Sequence, residues 1–305
     1  MKLALSTNWL ASSVESGEEI ADKAIEMGFD ALELGFSTTA FQAGGFRRRL
    51  DAIPVCSVHA FCPVPVSAPQ GYPELYSLAS FDADARAIAK FHVIENIRFA
   101  ASVGAGAVVL HAGRVSLATF WRRDGGTPRL RALIEKEKRN TDSPACRKAT
   151  AAALALRRKR GRAMLDLFKK DLAGLVPELE KSGVFLALEN LPYLEGFPDE
   201  EETREICAEF AGAPVRGWFD TGHHRVREMH RWTSGLPADV SIFAGMHLND
   251  VVDFDDDHLA PGCGKVDFPA LAPLAKAVGR IVFEPKSKVS GEALRESIRY
   301  IRSVW

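Results

Sequence analysis

The sequence predicts an α/β fold in which a single domain closes into a barrel of eight strand–helix units, and three observations carry that prediction. Eight short apolar runs are spread along the 305 residues. Stretches with apolar residues at helical spacing separate them. Six of the runs end in a metal-seeking side chain, as expected where a barrel gathers the carboxyl ends of its strands at one mouth. The length exceeds that of an average domain, yet barrels of about 250 residues or more form one domain.

The elements follow in order. Residues 2–6 form the first strand, and Ser16-Gly17-Glu18-Glu19 opens a helix in a pattern close to a capping box, with Ile20, Ala24 and Met27 as its apolar stripe and Gly28 as its stop. Strands are expected over 30–34, 54–59 and 106–111, the last two ending in His59 and His111. A helix over 82–103 lies between them. The second half reads as strands over 184–190, 215–223, 243–250 and 280–285, with helices over 149–181, 199–211, 268–278 and 291–303. The helical stripes are the faces that pack on the barrel.

One segment breaks the rhythm, because the connection from His111 to Gly183 is longer than the others. Within it, residues 114–170 are rich in Lys and Arg, although the whole chain has a net charge of −1. This basic helical excursion after the fourth strand is either a pair of solvated helices or a lid that presents Arg114, Arg122 or Arg123 to an anionic substrate. A nucleic-acid footprint fits the near-neutral chain less well.

Composition narrows the class. With 47% hydrophobic and 26% charged residues the chain can bury a large core. No apolar run approaches the roughly 18 residues of a membrane span, and no signal-like leader opens the chain, so a cytoplasmic location is expected. The five cysteines, Cys56, Cys62, Cys146, Cys207 and Cys263, form no C-x-x-C pair, which argues against both a disulfide framework and a thiolate zinc site.

The strand tips carry the chemistry. An ionised carboxylate at a buried tip is desolvated unless a partner or a cation compensates it. Glu189, Asp220, His247 and Glu284 close four successive strands, at separations near one strand–helix–strand unit, and point to one shared divalent cation. Asp256 and His258, just before a Gly262-Cys263-Gly264 turn, and His223, three residues after Asp220, could complete further metal sites.

Taken together, His59-Ala60, Leu110-His111-Ala112-Gly113, Leu188-Glu189-Asn190, Phe219-Asp220-Thr221-Gly222-His223, His247-Leu248-Asn249-Asp250, Asp256-Asp257-His258 and Phe283-Glu284-Pro285 resemble the xylose-isomerase-like barrel superfamily. That group includes sugar and sugar-phosphate isomerases and epimerases and the type-IV apurinic endonucleases. The resemblance covers nearly the whole chain and implies a (β/α)8 TIM barrel over residues 1–305. It implies that Glu189, Asp220, His247 and Glu284 hold a single metal, with Glu189 and Glu284 as paired acid and base. It matches His59, His111, His223, Asp256 and His258 to further ligands by which the endonucleases hold three zinc ions. The chain departs from the endonucleases at Gly222, where they have Cys, and from the epimerases at Asp253, where Arg is common.

The expected activity is therefore divalent-metal-dependent isomerisation or epimerisation of a sugar or keto-sugar. A proton next to a carbonyl is removed by one carboxylate and returned, while a cation stabilises the enediolate. An enolate-forming lyase or dehydratase and a multi-zinc phosphodiesterase are the alternatives. One His with three carboxylates favours Mn, Zn, Co or Fe over Mg. The expected partner is a small carbohydrate, with no membrane, nucleic acid unfavoured and a homo-oligomer admissible. Glu195 on the loop after the fifth strand is a candidate acceptor for substrate hydroxyls, and Lys286 a candidate oxyanion partner. Trp9, Trp121 and Trp218 are either stacking platforms at the mouth or core residues. His92, His224 and His230 are read as structural.

Overall fold

A computed structural model of the protein describes residues 1–117 and 126–305. Trp121, Arg122 and Arg123 lie outside the described residues.

The strands are β1 (Ala4–Ser6), β2 (Ala31–Leu34), β3 (Val55–His59), β4 (Ala107–Leu110), β5 (Gly113–Arg114), β6 (Phe185–Glu189), β7 (Gly196–Phe197), β8 (Val215–Asp220), β9 (Phe243–Leu248) and β10 (Ile281–Phe283). Eight of them form a closed parallel barrel in the order β1-β10-β9-β8-β6-β4-β3-β2, so the expected fold is the observed one. The remaining two, β5 and β7, pair antiparallel above the barrel and tie the loop after β4 to the loop after β6.

The helices are α1 (Gly17–Met27), α2 (Ala40–Arg47), α3 (Ala83–Ser102), α4 (Thr127–Lys136), α5 (Pro144–Ala173), α6 (Val176–Ser182), α7 (Glu200–Glu209), α8 (Thr221–Met229), α9 (Ala272–Ala277) and α10 (Gly291–Val304). Their starts follow from local chemistry. Ser16 accepts from the Glu19 N–H at the head of α1, and full capping boxes, Thr39 with Gln42 and Asp199 with Glu202, open α2 and α7. At the end of α1, Gly28 takes φ +90°, a left-handed turn that a glycine reaches without a Cβ penalty. The sequence run expected as strand to His223 stops at Asp220, because the Asp220 carboxylate accepts the His223 N–H and starts α8.

Period-two alternation sorts each strand. Outward residues such as Leu32, Val58, Leu188, Phe219 and Phe283 join the core between barrel and helices. Inward residues Ala4, Ala31, Ala107, Val109, Ala187, Ala244 and Val282 are small and pack around one large ring, Trp218. Room for that ring comes from Gly245, where a Cβ would lie 2.2 Å from a Trp218 ring atom. Trp218 is thus the barrel's filling, with its ring edge-on to His247 at 5.2 Å between centroids, and not a platform at the mouth.

The basic excursion is α4 and α5. One row of its charges is matched: Arg157, 3% exposed, binds Glu202 at 2.5 Å, Arg162 binds Glu205 at 2.6 Å, and Lys169 binds Glu205 and Glu209 at 2.5 Å. Arg157, Arg162 and Lys169 of α5 therefore face the acidic α7. Glu195 caps the far end of the excursion, accepting the Thr127 N–H at 2.7 Å and its hydroxyl at 2.5 Å at the head of α4.

Candidate active site

The inward tips of seven strands meet above the Trp218 layer. Glu33, His59, His111, Glu189, Asp220, His247 and Glu284 are all at most 8% exposed. One ligand atom from each of Glu189, Asp220, His247 and Glu284 falls within 4.8 Å of the others. The same closeness holds for His59, His111 and Glu189, for His59, His247 and Glu284, and for His223, Asp256 and His258.

The rings are aimed by their second nitrogens. His247 Nε2 lies 3.0 Å from Glu33 Oε1, and Glu33 in turn accepts from the Ser57 hydroxyl at 2.8 Å, which leaves Nδ1 facing Glu189 at 2.9 Å. For His59, His223 and His258 the roles are reversed. Their Nδ1–H groups donate to the carbonyls of Ala60 (3.0 Å), Asn190 (2.8 Å) and Glu284 (2.8 Å), so that each Nε2 turns to a carboxylate. Those Nε2 atoms lie 3.2 Å from Glu189, 3.5 Å from Asp256 and 3.0 Å from Asp256, respectively. His111 Nε2 meets Glu189 at 3.0 Å. Anchoring one ring nitrogen so that the other is presented is the arrangement by which proteins orient metal-binding imidazoles.

The carboxylates are fixed as well. Asp220 accepts the His223 N–H through Oδ1 and the Asn249 amide through Oδ2 at 2.6 Å. Asp250, fully buried, accepts N–H groups of Gly262, Gly264 and Val266, and so organises the loop that carries Asp256 and His258. On that loop His258 takes φ +43°, a left-handed conformation uncommon for a residue with a side chain.

Electrostatics follow from this crowding. Burial alone would raise the Glu189 and Glu33 carboxyls, but the His247 ring holds both below the usual carboxylate range, with His111 helping at Glu189. Asp220 behaves oppositely: burial pushes its carboxyl up, and the neighbouring Glu189 adds to this. Burial opposes the charged form of each histidine, yet Glu284, Glu33 and Glu189 carry His247 well above its ordinary value. Asp220 and Asp256 push His223 up to about 10, and Asp256 takes His258 to about 9. Protons on the rings thus compensate the carboxylates in the metal-free cluster, and a bound cation would replace them.

A cavity of about 300 Å³ opens above the cluster. His59, His111, His223, Asp256, His258, Glu284 and Lys286 line it, whereas Glu189, Asp220 and His247 lie beneath. The Lys286 ammonium donates to the Asp256 carbonyl. Arg114 stands beside the mouth but is engaged by Glu74. Trp9 and Glu195 are not among the lining residues: the Trp9 indole is buried and donates to the Val289 carbonyl at 2.8 Å, and Glu195 holds α4. His224 pairs with Glu200 at 2.8 Å, while His92 stacks on Tyr76 and His230 on Trp232, all away from the cavity.

Two participants escaped the sequence reading. Glu33 sits within the apolar run 30–34, and its place inside the barrel follows from the same alternation as the other tips. Glu74 comes from the long loop after β3, where no periodicity announces it.

Comparison with known proteins agrees with this architecture. A crystal structure of 3-keto-D-glucoside 4-epimerase from E. coli superposes with a TM-score of 0.68 at 17% identity, covering 99% of each chain. D-psicose 3-epimerase from Clostridium cellulolyticum H10, solved with D-tagatose, gives 0.66 at 13% identity over 100% of this chain and 99% of that one. A D-tagatose 3-epimerase-like protein gives 0.63 at 19% identity over 99% of both. No curated protein matches the chain by sequence. The profile of the xylose isomerase-like TIM barrel family matches residues 21–304, and the chain belongs to that family.

Proposed function

We propose that the protein is a divalent-metal-dependent isomerase or epimerase of a small sugar or keto-sugar, with Glu189, Asp220, His247 and Glu284 holding the ion. The observation that carries this is the set of anchored imidazoles. Four rings, His59, His223, His247 and His258, each have one nitrogen tied off and the other turned to a carboxylate at the floor of a sugar-sized cavity. The donor set fits a cation: three carboxylates and an imidazole are packed together, and burial, with Glu189 adding to it, raises the Asp220 carboxyl, a cost that a bound cation would relieve. Imidazole with carboxylates suits Mn, Zn, Co or Fe better than Mg. The keto-sugar epimerases among the structural neighbours support the same reading.

When bound, the ion supplies Lewis-acid stabilisation of negative charge beside a carbonyl. The chain supplies the proton handling. Glu284 lines the cavity, where it can meet a substrate, and Glu189 stands three strands away around the barrel, beneath the cavity. These two carboxylates are the acid and base that remove and return a proton next to the carbonyl. His258, bonded to the Glu284 carbonyl, holds the strand end that carries this acid.

Incubation of the metal-loaded protein with D-tagatose or another ketose in D2O should place deuterium at the carbon beside the carbonyl. Glu284→Gln should abolish the exchange while the metal content stays measurable. Lack of exchange on every ketose and keto-glycoside tried would refute the proposal.

One observation favours a second reading. All nine side chains that the resemblance matches to a three-zinc phosphodiesterase are present and clustered. Cleavage of abasic duplex DNA, lost on His111→Ala, with no sugar exchange, would establish that reading instead.

A further inference from the structure

The helix α4 ties together two of the loops that surround the mouth. At its head, Glu195 of the loop after β6 accepts the N–H and the hydroxyl of Thr127, and the Thr127 oxygen accepts the Leu194 N–H at 3.0 Å. One turn on, Arg131 reaches the loop after β9: its Nη2 donates to the Phe254 carbonyl at 3.2 Å and its Nη1 pairs with Asp255 at 3.1 Å. Just past the end of α4, Lys138 and Arg139 take φ +52° and +63°, left-handed values uncommon for residues with side chains, and Arg139 pairs with Asp253. The excursion thus runs from the loop after β6 to the loop after β9, past β8, which separates those two strands in the barrel.

The loop held in this way is the one that carries Asp256 and His258. Phe254 is fixed from two sides, since His230 at the end of α8 donates from Nε2 to the same carbonyl at 3.2 Å. Asp253 and Asp255 flank it, and each takes a guanidinium from the excursion. The next residue is Asp256, whose carboxylate lies 3.0 Å from His258 and 3.5 Å from His223, and a chain pinned at its neighbour has little freedom to move it. The ion pairs are partly exposed, 35% for the Arg131 side chain against 72% for Asp255, so each is weak alone and screened by salt. We infer that α4 is a salt-sensitive strap across one side of the mouth, and that Arg131 is a positioning residue that sets Asp256 and His258 at the cavity rim. The strap is independent of the sugar reading, on which its kinetic consequence rests.

Hydrogen exchange read by mass spectrometry on the full-length, metal-loaded protein tests the strap directly. Arg131→Gln should speed exchange of the amides of residues 251–258 by about tenfold and leave those of β9 unchanged, as expected when a loop opens locally. Raising the salt from about 0.05 M to about 1 M should do the same to the wild type and add little to the variant. Asp255→Asn alters an exposed side chain and should reproduce the faster exchange if Arg131→Gln fails to fold. With a ketose that turns over, Arg131→Gln should raise KM by about five- to tenfold and keep kcat within about twofold, because Asp256 and His258 line the cavity while the inner ligands keep their places. Arg131→Lys keeps the charge without the two-pronged reach and should recover part of that loss. Unchanged exchange at 251–258 in both variants would overturn the strap, and faster exchange with unchanged KM would overturn the positioning role. A wild type inactive on every ketose would count against the sugar reading alone, and the exchange measurement would still decide the strap.

Discussion

The inner and outer halves of the barrel mouth use the same residue types and are built in opposite ways. The inner four, Glu189, Asp220, His247 and Glu284, stand at the ends of barrel strands and are 0 to 5% exposed. Their positions are set by the strand ladder, in which Asp220 is paired directly with His247. Of the outer three, His223 rides on the first turn of α8, and Asp256 and His258 ride on a loop held by Asp250 and by the left-handed His258. A site fixed by a sheet is rigid before anything binds, whereas one fixed by a loop depends on a few hydrogen bonds. Under the proposed function, the chemistry would belong to the inner group and adjustment of the mouth to the outer one.

That assignment is open to attack by mutation, beginning with the largest effect. His247→Ala should remove bound metal, measured by elemental analysis, and reduce deuterium exchange by about 10³-fold or more, the scale of losing a group used in the transition state. His258→Ala should cost about tenfold and leave one metal per chain. Equal losses in the two variants would erase the distinction between the halves.

A smaller effect should come from behind the inner group. Glu33→Gln leaves every ligand in place but weakens the hold on His247 Nε2, so metal affinity should fall by about 10- to 100-fold while folding is kept. If Glu33 merely filled space, the isosteric glutamine would leave affinity unchanged.

The smallest effect is a pH dependence. In metal-free protein His223 and His258 are raised to about 10 and about 9. A raised folded-state value means that their stabilisation is fully present below the unfolded histidine value near 6.5 and is lost as the pH climbs through 9 to 10. Thermal melts of chelated protein should therefore decline as the pH rises from about 6.5 to about 10. His258→Gln should flatten the decline, and a decline that the variant leaves intact would place its origin elsewhere.

The same contrast explains what could be read from the sequence. The barrel and the inner tips were legible because strand alternation, burial and the cost of a lone buried carboxylate act locally on short runs. Glu33 was not, since an acid in mid-run looks like an ordinary outward residue until the register with β1 and β3 turns it inward. The helix α8 was hidden because Asp220 is both a strand end and a helix cap. Trp9 and Glu195 sit near the mouth in sequence but are spent on structure, one on the Val289 carbonyl and the other on the head of α4. Glu74 reaches the cavity through a long loop, and only tertiary packing determines where such a residue lands.

The alanine-lined floor beneath the cluster has a consequence for isotopes. Ala4, Ala31, Ala107, Ala187 and Ala244 close around Trp218 with no more than 8% exposure, so the barrel is plugged immediately below the acids. Under the proposed function, a hydron lifted from a bound sugar would find no exit through this floor. Its return to the same molecule competes with washout, so a ketose labelled at the reacting carbon should retain part of its label through each catalytic cycle.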